Sequence, residues 1–221
     1  MKDNQTEMKN NPQEGLVPTP AADMQQTEDL SGEQKYLYFE GRPREYRFNG
    51  QNGQFNLYGD RVLTDASGRL LSTFSFQPIA YRIFEDCLFG RSVRELWAEL
   101  FFVDSDNCVA SIMFNNTSVN ELYRLLEPIL YERKSLCDVI LRIKPERVQS
   151  KSDPNKSWYI ARFAYEPAQP ELIAEMRDYV KTHRVYRGET LTVSAQHKLV
   201  SQGYYMAIEP LDDYSLQQQA A

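Results

Sequence analysis

Long apolar runs are missing from this sequence. No run approaches the roughly 20 consecutive residues that a membrane-spanning helix needs, so a transmembrane protein is not predicted. The N-terminal residues, Met1-Lys2-Asp3-Asn4-Gln5, are polar and no apolar segment follows them, so a secretory signal peptide is not predicted either. We therefore expect no membrane partner.

Cysteine and histidine are scarce. The chain has three cysteines, Cys87, Cys108 and Cys137, and two histidines, and no two cysteines have the spacing of a zinc-binding pair. We predict no metal site and no cofactor, and we expect the cysteines to be buried, reduced thiols. Reduced thiols are typical of the cytoplasm, which is the compartment that the sequence indicates.

Catalytic motifs are also absent. The sequence holds no glycine-rich phosphate loop, no Gly-x-Ser-x-Gly motif and no histidine near a candidate nucleophile. These are the local patterns by which nucleotide-dependent and hydrolytic enzymes are recognised. We therefore predict that the protein is not an enzyme.

What the sequence does hold is enough apolar and aromatic residues for a folded core, at 42% and 12% of the chain. The formal net charge is −6, which argues against nucleic-acid binding over the whole surface but allows a local basic groove. Residues 1–34 contain no aromatic residue and are rich in Asn, Gln, Glu and Pro. Such a composition predicts a disordered tail.

Alternating apolar and polar residues predict five strands and one helix in the middle of the chain, in the order strand, strand, strand, helix, strand, strand. The second strand, 96–103, is apolar on nearly both faces, which indicates a strand covered on each side. Ser118 and Glu121 have the spacing of a capping box at the start of the helix. The predicted segments are a tail (1–34), a β-hairpin extension (35–75), a barrel (76–168), a C-terminal helix with short strands (169–208) and a second tail (209–221).

The second and third predicted strands resemble a known family. Leu100-Phe101-Phe102-Val103 leads into the turn Asp104-Ser105-Asp106-Asn107, and a strand and a helix follow. This pattern resembles the single-stranded-DNA-binding OB-folds of the replication protein A and phage type, over about residues 73–168, with Asn107 in place of the usual turn glycine. The resemblance implies a mainly β, α+β fold built on a five-stranded OB-fold-like barrel that binds single-stranded DNA or RNA.

In an OB-fold the ligand is clamped by the loop between strands one and two and by the loop between strands four and five. The first of these loops is predicted at 85–95. Around the second, segment 142–162 holds six basic residues and two acidic ones, an excess of four positive charges. Cations follow the phosphates of a single strand, and aromatic faces stack on its bases. The candidate nucleic-acid-binding residues are Arg82, Phe89, Arg91, Arg94, Arg142, Lys144, Arg147, Lys151, Lys156, Trp158, Tyr159 and Arg162.

Two functions remain open from the sequence. The first is a non-catalytic single-stranded nucleic-acid-binding protein, for DNA rather than RNA, that acts in replication or recombination and is encoded by a phage or mobile element. The acidic and apolar segment 208–214 would then contact replication or recombination proteins. The second is a β-rich protein-interaction or assembly module that binds no nucleic acid. Trp97, Phe101 and Phe102 are expected in the core in either case.

Deleting residues 1–34 should leave the thermal unfolding midpoint nearly unchanged, because these residues cannot bury enough apolar surface to offset the entropy of ordering them. Differential scanning calorimetry of the full-length and truncated chains checks this. A midpoint lower by many degrees in the truncated chain would show that the segment packs on the folded part.

Overall fold

A computed structural model describes residues 35–206. The predicted tails at 1–34 and 209–221 lie outside these residues. The described part combines strands and helices in the α+β class that the sequence predicts. Its elements are β1 (Arg44–Phe48), β2 (Phe55–Leu57), β3 (Arg61–Val62), β4 (Phe74–Phe76), β5 (Pro78–Asp86), β6 (Glu95–Val103), β7 (Val109–Asn115), α1 (Asn116–Tyr131), β8 (Val139–Gln149), β9 (Ser157–Pro167), α2 (Pro170–Thr182) and β10 (Gln196–Val200), with short 3₁₀ turns at Leu136–Asp138 and Gly188–Thr190.

Seven of the strands form one sheet, in the order β10-β5-β6-β7-β1-β2-β3. Neighbouring strands are antiparallel except β1 and β7, which are parallel. Successive residues of a strand point to opposite faces of the sheet. On β6, Leu100 and Phe102 pack into the main core, whereas Trp97 and Phe101 pack into smaller clusters on the other face. The prediction of a strand covered on both faces is therefore confirmed.

The predicted five-stranded barrel is wrong, because its strands are divided between two open sheets. β5, β6 and β7 belong to the seven-stranded sheet, whereas β8 and β9 pair with β4 in a three-stranded sheet. The side of β7 on which a closed barrel would continue is occupied by β1. The N-terminal hairpin, predicted as an extension, thus occupies with its strand β1 the position that the closing strand of a barrel would take.

The main core lies between one face of the large sheet, the small sheet and α1. Aromatic rings join these elements: Phe76 stacks on Phe102 with centroids 4.1 Å apart, and Phe74 stacks on Tyr46 at 5.4 Å. Full burial of a large apolar side chain stabilises a fold by about 1.5–3 kcal/mol. The rings of β4 therefore hold the small sheet against β6 and β1.

Two hydrogen bonds from backbone N–H groups of β9 cover its outer edge. The N–H of Ala161 donates to the Ser118 hydroxyl of α1 at 3.0 Å, and the N–H of Tyr159 donates to the Gly50 carbonyl at 2.7 Å. The predicted capping role of Ser118 is wrong, since α1 begins at Asn116 and the hydroxyl serves β9 instead. Unpaired strand edges favour pairing with other chains, so both contacts protect this edge.

The opposite face of the large sheet is covered by α2 and by residues 183–195, here called the covering segment. Met176 of α2 and Val185 of the covering segment pack with Phe101 of β6. Of the helix and short strands predicted over 169–208, the structure forms α2 and one strand within residues 169–206, β10 at Gln196–Val200. Neither of the two α-helices in residues 35–206 combines the length and the apolar character that a membrane crossing requires.

Gly53, in the β1-β2 turn, has a φ of +74° and lies against the ring of Tyr159. A Cβ atom at Gly53 would lie 2.5 Å from that ring. Gly53→Ala therefore adds a clash to the strain of a left-handed backbone, and we expect the free energy of unfolding to fall by about 2–4 kcal/mol. Urea unfolding followed by circular dichroism measures the loss.

Gly68→Ala is the matched control for this variant. Gly68 has a φ of +79°, and no atom of the described residues lies within 4 Å of a Cβ built there. Its substitution tests backbone strain alone, which costs about 1 kcal/mol. Equal losses for the two variants would show that the contact between the turn and Tyr159 does not constrain the fold.

Candidate nucleic-acid interface

A buried ion pair attaches the covering segment to the large sheet. Arg82 of β5 lies opposite Glu99 of β6, and the Arg82 Nε donates to a Glu99 carboxylate oxygen at 2.8 Å. Both side chains are fully buried. The Arg82 Nη2 donates to the Thr190 carbonyl at 2.7 Å, and the Thr190 hydroxyl donates to Glu99 at 2.8 Å. Two strands and the covering segment thus meet in one hydrogen-bonded cluster.

The prediction that Arg82 binds nucleic acid is wrong, because its side chain is buried beneath the covering segment. A buried charge is costly unless it is paired and hydrogen-bonded. Glu99 and Thr190 meet that requirement. Arg82 therefore stabilises the fold and does not face a ligand.

Asp86, at the end of β5, anchors the covering segment a second time. Its carboxylate accepts hydrogen bonds from the hydroxyls of Thr192 and Ser194, the latter at 2.8 Å. Burial alone would raise the pKa of Asp86, but these hydrogen bonds outweigh it and hold the pKa below its usual value. Arg94, a candidate binding residue, donates to the carbonyls of Glu85 and Ser194 at 2.8 and 2.9 Å. It therefore ties the loop after β5 to the same segment.

A groove of about 370 Å³ lies where β1, β6, β7, the loop after β5 and the covering segment meet. We call it the arginine–aromatic groove. Its lining includes Arg47, Phe48, Phe89, Arg91, Trp97 and Arg187. The structure thus brings two candidate residues, Phe89 and Arg91, together with two arginines from distant parts of the chain.

The rings and guanidinium groups of the groove contact one another. Phe89 meets Trp97 edge-on, with centroids 5.6 Å apart. Arg91 lies 5.0 Å from the centre of the Trp97 ring, and Arg187 lies 5.8 Å from that of Phe89. Phe89 is 51% exposed, whereas Trp97 is 5% exposed. Phe89 therefore offers an open ring to a ligand, and the buried ring of Trp97 packs against it.

The backbone at Phe89 has a conformation that bulky residues rarely adopt. Its φ is +54° and that of Gly90 is +72°, and the Arg91 N–H closes the turn on the Leu88 carbonyl at 3.1 Å. Such a conformation costs about 1–3 kcal/mol and is concentrated at functional sites. The strain and the exposure together indicate a binding role for Phe89.

Each arginine of the groove is paired with a carboxylate. The pairs are Arg91 with Glu95, Arg47 with Glu45, and Arg187 with Glu189 and, at 3.4 Å, with Glu45. Burial opposes ionisation of Glu45, but the hydrogen bond from Arg47 and the charge of Arg187 outweigh it, so the pKa of Glu45 lies below its usual value. Glu189 is exposed, whereas Glu45 and Glu95 are half-buried. Exposed ion pairs contribute only about 0–1 kcal/mol, so a phosphate can displace Glu189 at little cost.

The other candidate residues lie on the β8-β9 hairpin, where half of the cations are neutralised. The ion pairs are Arg142 with Glu166 at 3.1 Å, Lys156 with Asp153 at 3.5 Å, and Arg162 with Glu146 at 2.8 Å and also with Glu121. Glu166 and Glu121 lie outside segment 142–162. The excess of four charges counted within that segment therefore overstates its positive charge.

Four further candidates on the hairpin are exposed: Lys144, Arg147, Lys151 and Trp158. The three cations among them form no ion pair with any residue in 35–206. The hairpin adjoins the groove through the β1-β2 turn, since Phe48 lines the groove and Gly50 accepts the hydrogen bond from Tyr159. Tyr159 itself packs on the turn, so its role in the structure is to join the two regions.

Sequence reasoning missed Arg47 and Arg187. Trp97 is buried in a core cluster, as predicted, and it also lines the groove. The alternation Glu45-Tyr46-Arg47-Phe48 is a signal that β1 has a charged face. Arg187 lies in a segment without a regular pattern, and only the tertiary fold brings it to the groove.

Within residues 35–206, no group of three or more His, Cys, Asp or Glu side chains is arranged to hold a metal ion. Comparisons with known protein families, with curated proteins and with solved structures gave no match.

Proposed function

We propose that this protein binds single-stranded nucleic acid through the arginine–aromatic groove, without catalysis and without sequence preference. The observation that carries the proposal is the contact of aromatic rings with guanidinium groups beside an exposed ring. Single strands are bound by such combinations, because every base has a face that stacks and every nucleotide carries a phosphate. DNA is the proposed ligand and replication or recombination the proposed process, following the resemblance of the sequence.

The order of the central elements supports a relationship to the OB-fold in which two open sheets replace the closed barrel. β4 and β5 are interrupted only at Gln77, and they pair with β8 in the small sheet and with β6 in the large one. One stretch of chain is thus shared by both sheets, and α1 lies between the third and fourth strands of the order. OB-folds bind their ligands on strands two and three, beside the loop between strands one and two. The corresponding elements here, β6, β7 and the loop after β5, form the groove.

Stacking and charge contribute separately to the proposed affinity. Each base stacked on an aromatic ring contributes about 1–3 kcal/mol. Each arginine that binds a phosphate releases counterions. Each such contact makes the slope of log affinity against log salt more negative by about 0.7 on a single strand. With a net charge of −6, the chain needs local cations of this kind to hold a polyanion.

A protein-interaction or assembly module is the second candidate function. An apolar groove of about 690 Å³ between α1 and β10 favours it, since Leu130 and Tyr131 are 51% and 81% exposed there. Exposed apolar side chains near an edge strand are typical of surfaces that bind polypeptides. The predicted contact of segment 208–214 with replication or recombination proteins lies outside the described residues and stays a prediction.

Fluorescence anisotropy with a labelled single-stranded 30-mer, over a range of salt concentrations, tests the first function. Arg91→Gln removes an exposed phosphate contact, so we expect weaker binding and a salt slope smaller in magnitude by about 0.7. Phe89→Ala removes the open ring, so we expect binding to weaken by about 1–3 kcal/mol with little change in the slope.

Arg124→Gln is the matched control for Arg91→Gln. Arg124 is an exposed arginine of α1 that pairs with Glu121 as Arg91 pairs with Glu95, but it does not line the arginine–aromatic groove. Its substitution should leave binding unchanged. A wild-type protein that does not bind the 30-mer, or that binds it equally at all salt concentrations, would contradict the first function and favour the second.

A further inference from the structure

A second groove adjoins the arginine–aromatic groove. It has a volume of about 390 Å³ and shares Glu45 and Arg187 with the first groove. Its remaining lining includes Arg42, Tyr58 and Tyr186, and we call it the tyrosine groove. Because the same two residues line both, the two grooves lie side by side.

Tyr58 is presented to solvent in the same way as Phe89. Tyr58 and Gly59 have φ angles of +55° and +88°, and Phe89 and Gly90 have φ angles of +54° and +72°. The two aromatic rings are 57% and 51% exposed. Both turns thus hold a half-exposed aromatic side chain on a strained backbone.

Fixed guanidinium groups lie between these two aromatic–glycine turns. Arg187 lies 5.8 Å from the centre of the Phe89 ring, and its side chain is only 8% exposed. Gly59 lies close to Arg47, since a Cβ atom at Gly59 would be 2.9 Å from the Arg47 guanidinium. The strained turns thus flank a centre in which Arg47 and Arg187 are paired with Glu45 and Glu189.

The tyrosine groove also has a cation and a second ring. Arg42 is exposed and forms no ion pair with any residue in 35–206. The Tyr186 hydroxyl donates to Glu40 at 3.4 Å, and its ring packs on Tyr205 at a centroid distance of 5.1 Å. An open ring, an anchored ring and an unpaired cation are together suited to a nucleobase and its phosphate.

We propose that the tyrosine groove is a second nucleobase subsite, and that one single strand occupies both grooves. One base stacks on Phe89, the strand passes Arg187, and a later base stacks on Tyr58. This proposal rests on the proposed function and adds the class of ligand: a single strand several nucleotides long, rather than a mononucleotide. A duplex is excluded from this mode because its bases remain stacked on one another.

Tyr58→Ala tests the second subsite, with anisotropy of a labelled thymidine 30-mer as the readout. Loss of one stacked base should weaken binding about 5- to 150-fold. Tyr58→Phe keeps the ring and should bind as the wild type does. Circular dichroism of both variants should match the wild type, because Tyr58 is exposed in the β2-β3 turn.

Leu70→Ala is the control, because Leu70 is 57% exposed, as Tyr58 is, and lines neither groove. It should leave affinity unchanged. If Phe89→Ala weakens binding and Tyr58→Ala does not, the second subsite is overturned while the proposed function stands. An equal loss from Leu70→Ala and Tyr58→Ala, or a loss from Tyr58→Phe as large as that from Tyr58→Ala, also overturns the subsite. A wild-type protein that does not bind the 30-mer overturns both proposals.

Discussion

The buried ion pair of Arg82 and Glu99 is the interaction on which the groove depends. Taking two charges out of water costs several kcal/mol per ion unless good geometry and further hydrogen bonds compensate. Here the pair joins adjacent strands, and Thr190 of the covering segment accepts a hydrogen bond from Arg82 and donates one to Glu99, which leaves only Nη1 of the Arg82 guanidinium without a partner in residues 35–206. Loss of either charge would leave the other unpaired in the interior and would remove one of the anchors of the covering segment, with Asp86 as the other. The same pair therefore stabilises the fold and fixes one wall of the groove.

The groove obtains its arginines from three separate parts of an acidic chain. Arg47 comes from β1, Arg91 from the loop after β5, and Arg187 from the covering segment. Each arrives with a carboxylate partner, so the groove is close to neutral while it holds no ligand. A phosphate that replaces those carboxylates meets guanidinium groups that are already in position. Under the proposed function, this arrangement provides a local site for a polyanion on a protein whose net charge is −6.

The central elements were predictable because their signals are local. Alternation and helical spacing place β5, β6, β7, α1, β8 and β9 in the predicted order. The open form of the large sheet was not predictable from the sequence. It results from the pairing of β1 with β7, which are far apart in the chain, and no local pattern encodes that pairing. Ser118 was assigned to the wrong role for the same reason, since the partner of its hydroxyl is the distant Ala161.

The site was predictable only where its residues share one loop. Phe89 and Arg91 stand out as an aromatic and a cation in a turn. Arg82 was expected at the surface because charged residues are seldom buried, and its buried partner Glu99 lies on the neighbouring strand. Arg187 reaches the groove through tertiary structure alone.

The proposed binding site for single strands is the arginine–aromatic groove rather than the basic hairpin. Photo-cross-linking of a single-stranded oligonucleotide that contains 5-iododeoxyuridine, with the linked peptides identified by mass spectrometry, tests this most directly. If the strand binds there, cross-links form at Phe89 and in peptides that line the groove, because the modified base couples to aromatic rings on which it stacks. Cross-links confined to β8-β9, or to the apolar groove along α1, would contradict it.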